Sequence, residues 1–369
     1  MFYALFDYIN EVLNPPGFDV FRFITFRAAA AAITALLISW FVGPRIIAML
    51  RNRQIGETAK IEAPETHLVK AGTPTMGGLI VLTSIVIPVL IWGQLQNTYV
   101  WLILLATVML GAVGFVDDYL KVVRKFPKGL IGEYKIVGQV IVGLIVGGVL
   151  YFSPEFAGYN SVTTVPFFKN LVLDFSFFYI PMIIFVIVAT SNAVNLTDGL
   201  DGLAIGTISI AFIAIAFISY AGGRVDFSNY LNIIYLPGSG ELTVFSAAVL
   251  GAGLGFLWYN AYPAQVFMGD TGSLALGGAL GVLMVMIKKE LLLPILGGIF
   301  FAETVSVLIQ KAYFKYTKRK YGQGKRVFRM APIHHHFELL GWPEPKIVSR
   351  FYIIAIILAI LSLATFKVR

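Results

Sequence analysis

The sequence predicts an all-α fold: a polytopic integral membrane protein with about ten transmembrane helices and both termini on the periplasmic side. Three observations carry this expectation. Composition is the first. Of 369 residues, 58% are hydrophobic and only 13% are charged, with a mean hydropathy of +0.81, whereas soluble domains carry about 25% charged residues. The second is the recurrence of apolar runs near the length of about 20 residues that a bilayer demands. The third is the sorting of basic residues between alternate connections, which orients the spans. Helices are the expected element because they satisfy their own backbone hydrogen bonds in lipid.

The runs fall at 23–48, 76–96, 98–118, 134–152, 177–195, 202–221, 242–260, 271–288, 291–312 and 348–367, the eighth and ninth divided only by Lys288-Lys289-Glu290. Several are glycine-rich (Gly138, Gly143, Gly147 and Gly148; Gly251, Gly253 and Gly255), as suits close helix contact in lipid. Of the 28 Lys and Arg, five lie between the first and second runs, five around the end of the third and start of the fourth, and ten around the connection between the ninth and tenth. Those connections are assigned to the cytoplasm. The chain then reads as one transmembrane domain, 1–369, with cytoplasmic loops at 49–75, 119–134, 192–202, 260–271 and 313–347. Acidic Asp7, Glu11 and Asp19 precede the first basic residue, Arg22, so the N-terminus lacks the basic region of a cleaved signal peptide and is expected to be retained. With no cysteine, disulfides, thiolate nucleophiles and cysteine metal sites are excluded.

The conspicuous polar groups gather on the cytoplasmic side. Asn192-Ala-Val-Asn-Leu-Thr-Asp-Gly-Leu-Asp-Gly202 interrupts membrane-grade sequence with Asn192, Asn195, Asp198 and Asp201. Such groups mark functional sites near lipid, although Asp-Gly is also strong turn chemistry. Asp117-Asp118-Tyr-Leu-Lys121 closes the third span, with Lys125 a turn further on. Neighbouring helical residues diverge, so one aspartate is expected to face a cleft while Lys121, at i+3, holds the other. Gathered carboxylates suit magnesium, which prefers a few carboxylates plus substrate phosphates. Lys70 opens Lys-Ala-Gly-Thr-Pro-Thr-Met-Gly-Gly78, where glycines and a helix start could receive phosphate; Thr73 or Thr75 could equally cap that helix. Lys121, Lys125, Lys128 and Lys135 could bind lipid phosphate or anionic headgroups. His334-His335-His336 does not match a spaced zinc pattern; beside Arg326 and Arg329, these histidines suit a pyrophosphate or nucleotide. Glu303 and Gln310, in the ninth span, could simply hydrogen-bond between helices.

Lys70–Gly78, Asp117-Asp118, Asn192–Gly202, Asn260–Gly272 and Pro332–Glu338 together resemble the polyprenyl-phosphate N-acetylhexosamine-1-phosphate transferases, over nearly the whole chain. The segment His-His-His-Phe-Glu-Leu-Leu-Gly-Trp342 is most similar to the branch that handles a muramoyl pentapeptide. The resemblance implies a ten-helix, usually dimeric, inner-membrane enzyme. Its substrates would be UDP-MurNAc-pentapeptide and undecaprenyl phosphate, its products lipid I and UMP, and its cofactor Mg²⁺; no nucleic acid partner is expected. Carried onto this chain, Asp117, Asp118, Asp270 and His334 would be the catalytic set. Asp270 would ligate magnesium, with Asp117 a further candidate ligand. Lys70, Asn195, Asp198, Asp201, Asn260, Phe267, Gln310, His335 and His336 would line the nucleotide and sugar region. Thr75, Lys121, Lys125 and Lys135 complete the expected substrate-binding set, through the phosphate contacts above. Two rivals stand beside this reading: a sister enzyme loading GlcNAc-1-phosphate onto the same lipid, and an ion-coupled transporter, whose acids would sit near mid-membrane.

Overall fold

In the computed structural model, which describes residues 2–13, 16–52, 72–126, 129–168 and 171–367, helices dominate and a single short hairpin interrupts them. In chain order they are α1 (Phe2–Leu13), α2 (Ile24–Asn52), α3 (Gly78–Trp92), α4 (Thr98–Val122) and α5 (Gly132–Phe152). The hairpin pairs β1 (Val162–Thr164) antiparallel with β2 (Val172–Asp174), Thr163 opposite Leu173. Then follow α6 (Tyr179–Thr197), α7 (Leu203–Gly222), α8 (Val225–Leu231), α9 (Leu242–Asn260) and α10 (Gly269–Met286). The chain ends with α11 (Leu293–Leu296), α12 (Gly298–Tyr321), α13 (Ile333–Leu339) and α14 (Glu344–Ala364).

Eight of these helices are long and apolar enough to cross a membrane, among the described residues. A ninth span can be made from Glu290–Leu296 and Gly298–Tyr321, which are bent by 84° at their junction. Pro294 and the Gly297-Gly298 pair account for that break, since proline is suited to a first turn and glycine to ending a helix. The run expected at 76–96 forms only the shorter apolar helix α3.

Helix α10 is the buried axis, packed chiefly on α4 and α6. Small residues permit the approach: a Cβ on Gly114 of α4 would overlap the Asp270 carbonyl, and one on Gly251 of α9 would overlap the backbone at Ala32 of α2. Glycine here serves close packing, as expected. The approach brings the C-terminal ends of α4 and α6 to the N-terminal end of α10. Elsewhere, buried Arg27 makes a two-pronged ion pair with Glu241 (2.7 and 2.6 Å), joining α2 to the entry of α9.

Candidate active site

Asp117 and Asp118 occupy the last turns of α4, and Asp270 the first turn of α10. One ligand atom from each lies within 4.8 Å of the others. The two neighbouring aspartates do different work, as their divergence on a helix requires. Asp118 spends both carboxylate oxygens on the start of α10. Its Oδ1 accepts from Asp270 N–H (3.1 Å), and its Oδ2 from Thr271 N–H (2.9 Å) and Thr271 Oγ1 (2.6 Å). A helix N-terminus leaves N–H groups unsatisfied, and here the cap comes from another helix.

Asp117 faces the cluster. Its Oδ1 accepts from Leu130 N–H (2.6 Å) and its Oδ2 from Lys135 Nζ (2.8 Å), with Lys121 on the same oxygen. Lys121 was expected to hold Asp118 at i+3; it pairs instead with Asp117 at i+4, because Asp118 is taken by α10. Asp270 Oδ2 accepts from both Lys135 (2.5 Å) and Lys121 (3.2 Å), and its Oδ1 from Asn195 Nδ2 (2.8 Å). Asn195 also donates to Ser273 Oγ (2.8 Å), which ties α6 to α10. Three carboxylates thus meet two ammonium groups, leaving an excess of negative charge where a cation would bind. Asp117 Oδ2 and Asp270 Oδ2 share both lysines, so the donor set fits a hard divalent ion placed where the ammonium groups stand. Asp118 has its oxygens already engaged and is the weaker ligand.

The remaining expected residues divide between this cluster and its supports. Thr75 lies beside Gly269, close to Asp118, and does not cap α3, which starts at Gly78 with no side-chain cap. The segment around it pairs with the loop before α10 through Phe267 N–H to Pro74 O (2.8 Å) and Gly77 N–H to Phe267 O (2.8 Å). Phe267 itself is half-buried. Asp198 caps the end of α6, one turn beyond Asn195. Asp201 and Asn260 are buried fasteners. Asp201 Oδ2 accepts from Ala264 N–H (2.9 Å), while Asn260 accepts from Gly202 N–H (3.1 Å) and donates to Val266 O (2.9 Å). Asn192 joins α6 to α5 through Gln139 (2.9 Å). Lys125 is exposed in the turn after α4 and takes no part in the cluster. Lys70 and Lys128 lie outside the described residues.

The histidine run, expected in a loop, forms the short helix α13, and its three rings have separate partners. His334 is buried, with Nδ1 3.2 Å from Glu303 Oε2. His335 Nδ1 meets Glu338 Oε2 (2.6 Å). His336 Nδ1 accepts from Arg329 N–H (3.1 Å), so it is the unprotonated nitrogen of that ring. Gln310 holds the same loop, accepting from Val327 and Phe328 N–H (3.0 Å each) and donating to Phe328 O (3.1 Å). It also lines a cavity of about 540 Å³ with Lys311, Phe314 and Arg326.

Sequence reasoning missed Thr271, Ser273 and Glu344. Glu344 accepts from Asp201 N–H (2.6 Å). Only Thr271 carried a signal, as the hydroxyl following Asp270 at the start of an apolar run.

Acids and lysines thus converge at one end of a bundle of helices long and apolar enough to cross a membrane. Residues 100–288, about half of the chain, match the family described as Glycosyl transferase family 4. Residues 70–82 match Phospho-N-acetylmuramoyl-pentapeptide-transferase signature 1. The chain is 55% identical over 369 residues to the phospho-N-acetylmuramoyl-pentapeptide-transferase of Chloroherpeton thalassium, covering all of both chains. It is 53% identical to the proteins of that name from Salinibacter ruber and Chlorobaculum parvum, again over the whole of both. The chain therefore belongs to the phospho-N-acetylmuramoyl-pentapeptide transferase family.

Proposed function

We propose that the protein transfers phospho-MurNAc-pentapeptide from UDP-MurNAc-pentapeptide to undecaprenyl phosphate, giving lipid I and UMP with Mg²⁺. The observation that carries this reading is the meeting of Asp117, Asp118 and Asp270 within 4.8 Å, with Lys121 and Lys135 bridging two of them. Phosphoryl transfer needs positioning and charge neutralisation more than covalent help from the protein. Asp270 and Asp117 would hold the metal, which supplies charge neutralisation on the diphosphate. Lys121 and Lys135 would turn from the carboxylates to the phosphates, with Lys70 and Thr75 adding contacts from the preceding segment. Asn195, Asp198 and Phe267 would receive the nucleotide. Gln310, His335 and His336 would shape the loop beside it, and Asp201 and Asn260 would hold the intervening turn.

The attacking group is itself a phosphate, whose second pKa is about 6, so at neutral pH it scarcely needs a base. Direct attack with Asp117 as a positioning group is favoured over an aspartyl intermediate; recovery of a phosphorylated Asp117 would reverse that order. One substrate is a long lipid and the other a charged nucleotide, so the chemistry belongs at the cytoplasmic boundary of the inner membrane. We further place ten spans in one transmembrane domain, counting α3 and the bent pair, with both termini periplasmic. The homodimer follows from the family resemblance. The test is purified protein with both substrates, with and without Mg²⁺, following UMP. Metal-dependent UMP release is expected. Release only with UDP-GlcNAc would favour the sister activity, and substrate flux without UMP a transporter.

A further inference from the structure

Outside the carboxylate cluster, α12 and α13 bury an acid and a base side by side. Glu303 on α12 and His334 on α13 are both fully enclosed, with Nδ1 and Oε2 3.2 Å apart. Neither carboxylate oxygen and neither ring nitrogen makes an aligned hydrogen bond. Removing a carboxylate from water is costly unless a partner compensates, and an apolar side chain in such a place is often at least as stabilising as a buried pair. A stability role is thus a poor account of Glu303.

What His334 touches on its other side supplies a better one. Its Nε2 lies flush against Gly199, where any Cβ would overlap the ring. Gly199 stands between Asp198 and the fasteners of the next loop: Asp201 holds Ala264 N–H and Gly202 N–H bonds Asn260, on the segment that leads into Asp270. The ring that meets Gly199 is that of His334. We propose that Glu303 is a positioning residue for the transfer reaction, holding His334 against Gly199 and so seating the turn that presents Asp198 and anchors the loop before Asp270. This rests on the transferase reading above.

The pair and its glycine are tested in the full-length detergent-solubilised protein with Glu303→Gln, Glu303→Asp and Gly199→Ala. Gly199 does not have a left-handed backbone, so alanine there challenges only the contact with the ring. Hydrogen exchange at 198–204 and 260–268 is expected to quicken in Glu303→Gln and Gly199→Ala, a readout that does not depend on turnover. In kinetics with each substrate varied, both variants are expected to lose about tenfold or more in kcat/KM for the nucleotide sugar. The KM for the lipid phosphate stays within about twofold, Glu303→Asp recovers part of the loss, and the double variant is no worse than the poorer single one, as expected of residues acting as a unit. Unchanged exchange in those segments overturns the proposal whatever the activity. So does an active parent whose Glu303→Gln variant keeps its kcat/KM, or loses affinity equally for both substrates. A parent that releases no UMP from UDP-MurNAc-pentapeptide would instead count against the transferase reading, leaving the exchange result to decide the role of Glu303.

Discussion

Asp117 and Asp118 are chemically identical neighbours, and the structure gives them opposite duties that substitution can separate. Asp118→Ala would strand buried donors at the start of α10, at a cost of about 1–3 kcal/mol for an unsatisfied group. The thermal midpoint is expected to fall along with activity. Asp117→Asn keeps the shape and an acceptor for Leu130, so turnover should vanish while the midpoint stays near that of the parent. If Asp118→Ala melts like the parent, the capping role is wrong. Lys135 gives a second prediction. Its ammonium bridges Asp117 and Asp270, in the place a divalent cation would take. Lys135→Met should therefore bind Mn²⁺ more tightly in the absence of substrate, by titration followed with electron paramagnetic resonance, while UMP release falls at least about tenfold. Equal or weaker Mn²⁺ binding would mean the metal lies elsewhere.

At the scale of elements, the site exists because α4 and α10 come nearly into backbone contact at Gly114. Gly114→Ala would drive a methyl into the Asp270 carbonyl, and overpacking of this kind costs about 1–3 kcal/mol. Both the midpoint and the activity should drop, with weakened Mn²⁺ binding because Asp270 is displaced from Asp117. A fully active Gly114→Ala protein would show that the approach is slack. Much of this arrangement was legible in the sequence. Apolar runs marked the long helices, and the acids, amides and lysines that converge were recognisable as groups that lipid would not tolerate without cause. The partner of Asp118 was not legible, since Asp270 lies 152 residues later and local spacing favoured Lys121. Nor was α1, which is too short to span. The histidine helix was hidden for another reason: seven residues carry too little periodicity, and the three rings are placed differently, His334 by Glu303 on α12, His336 by the Arg329 backbone in the preceding loop and His335 by Glu338 of its own helix. The bend between α11 and α12 lay inside an apolar run whose hydropathy does not register Pro294 and Gly297-Gly298.

For the whole molecule, the decisive matter is which end faces the nucleotide. The carboxylate cluster, the exposed basic end of α12 (Lys318, Arg319 and Lys320) and the 322–332 loop with Lys325, Arg326 and Arg329 belong to one set of connections. Basic residues near span ends are retained on the cytoplasmic side, so that end should be cytoplasmic, with α1 on the other face. The sequence makes the test unusually direct, because it contains no cysteine and every introduced thiol reports alone. Tyr8 of α1 and Val327 beside the histidine helix are both exposed. In intact cells, a membrane-impermeant maleimide should label Tyr8→Cys and spare Val327→Cys. After the membrane is permeabilised, both should react. An inverted pattern would put the acids where no nucleotide sugar is available, and the transferase mechanism would fail on geometry before its chemistry was reached. Labelling of both sites in intact cells would place α1 and the 322–332 loop on one face, and the odd number of spans between them would then be the error.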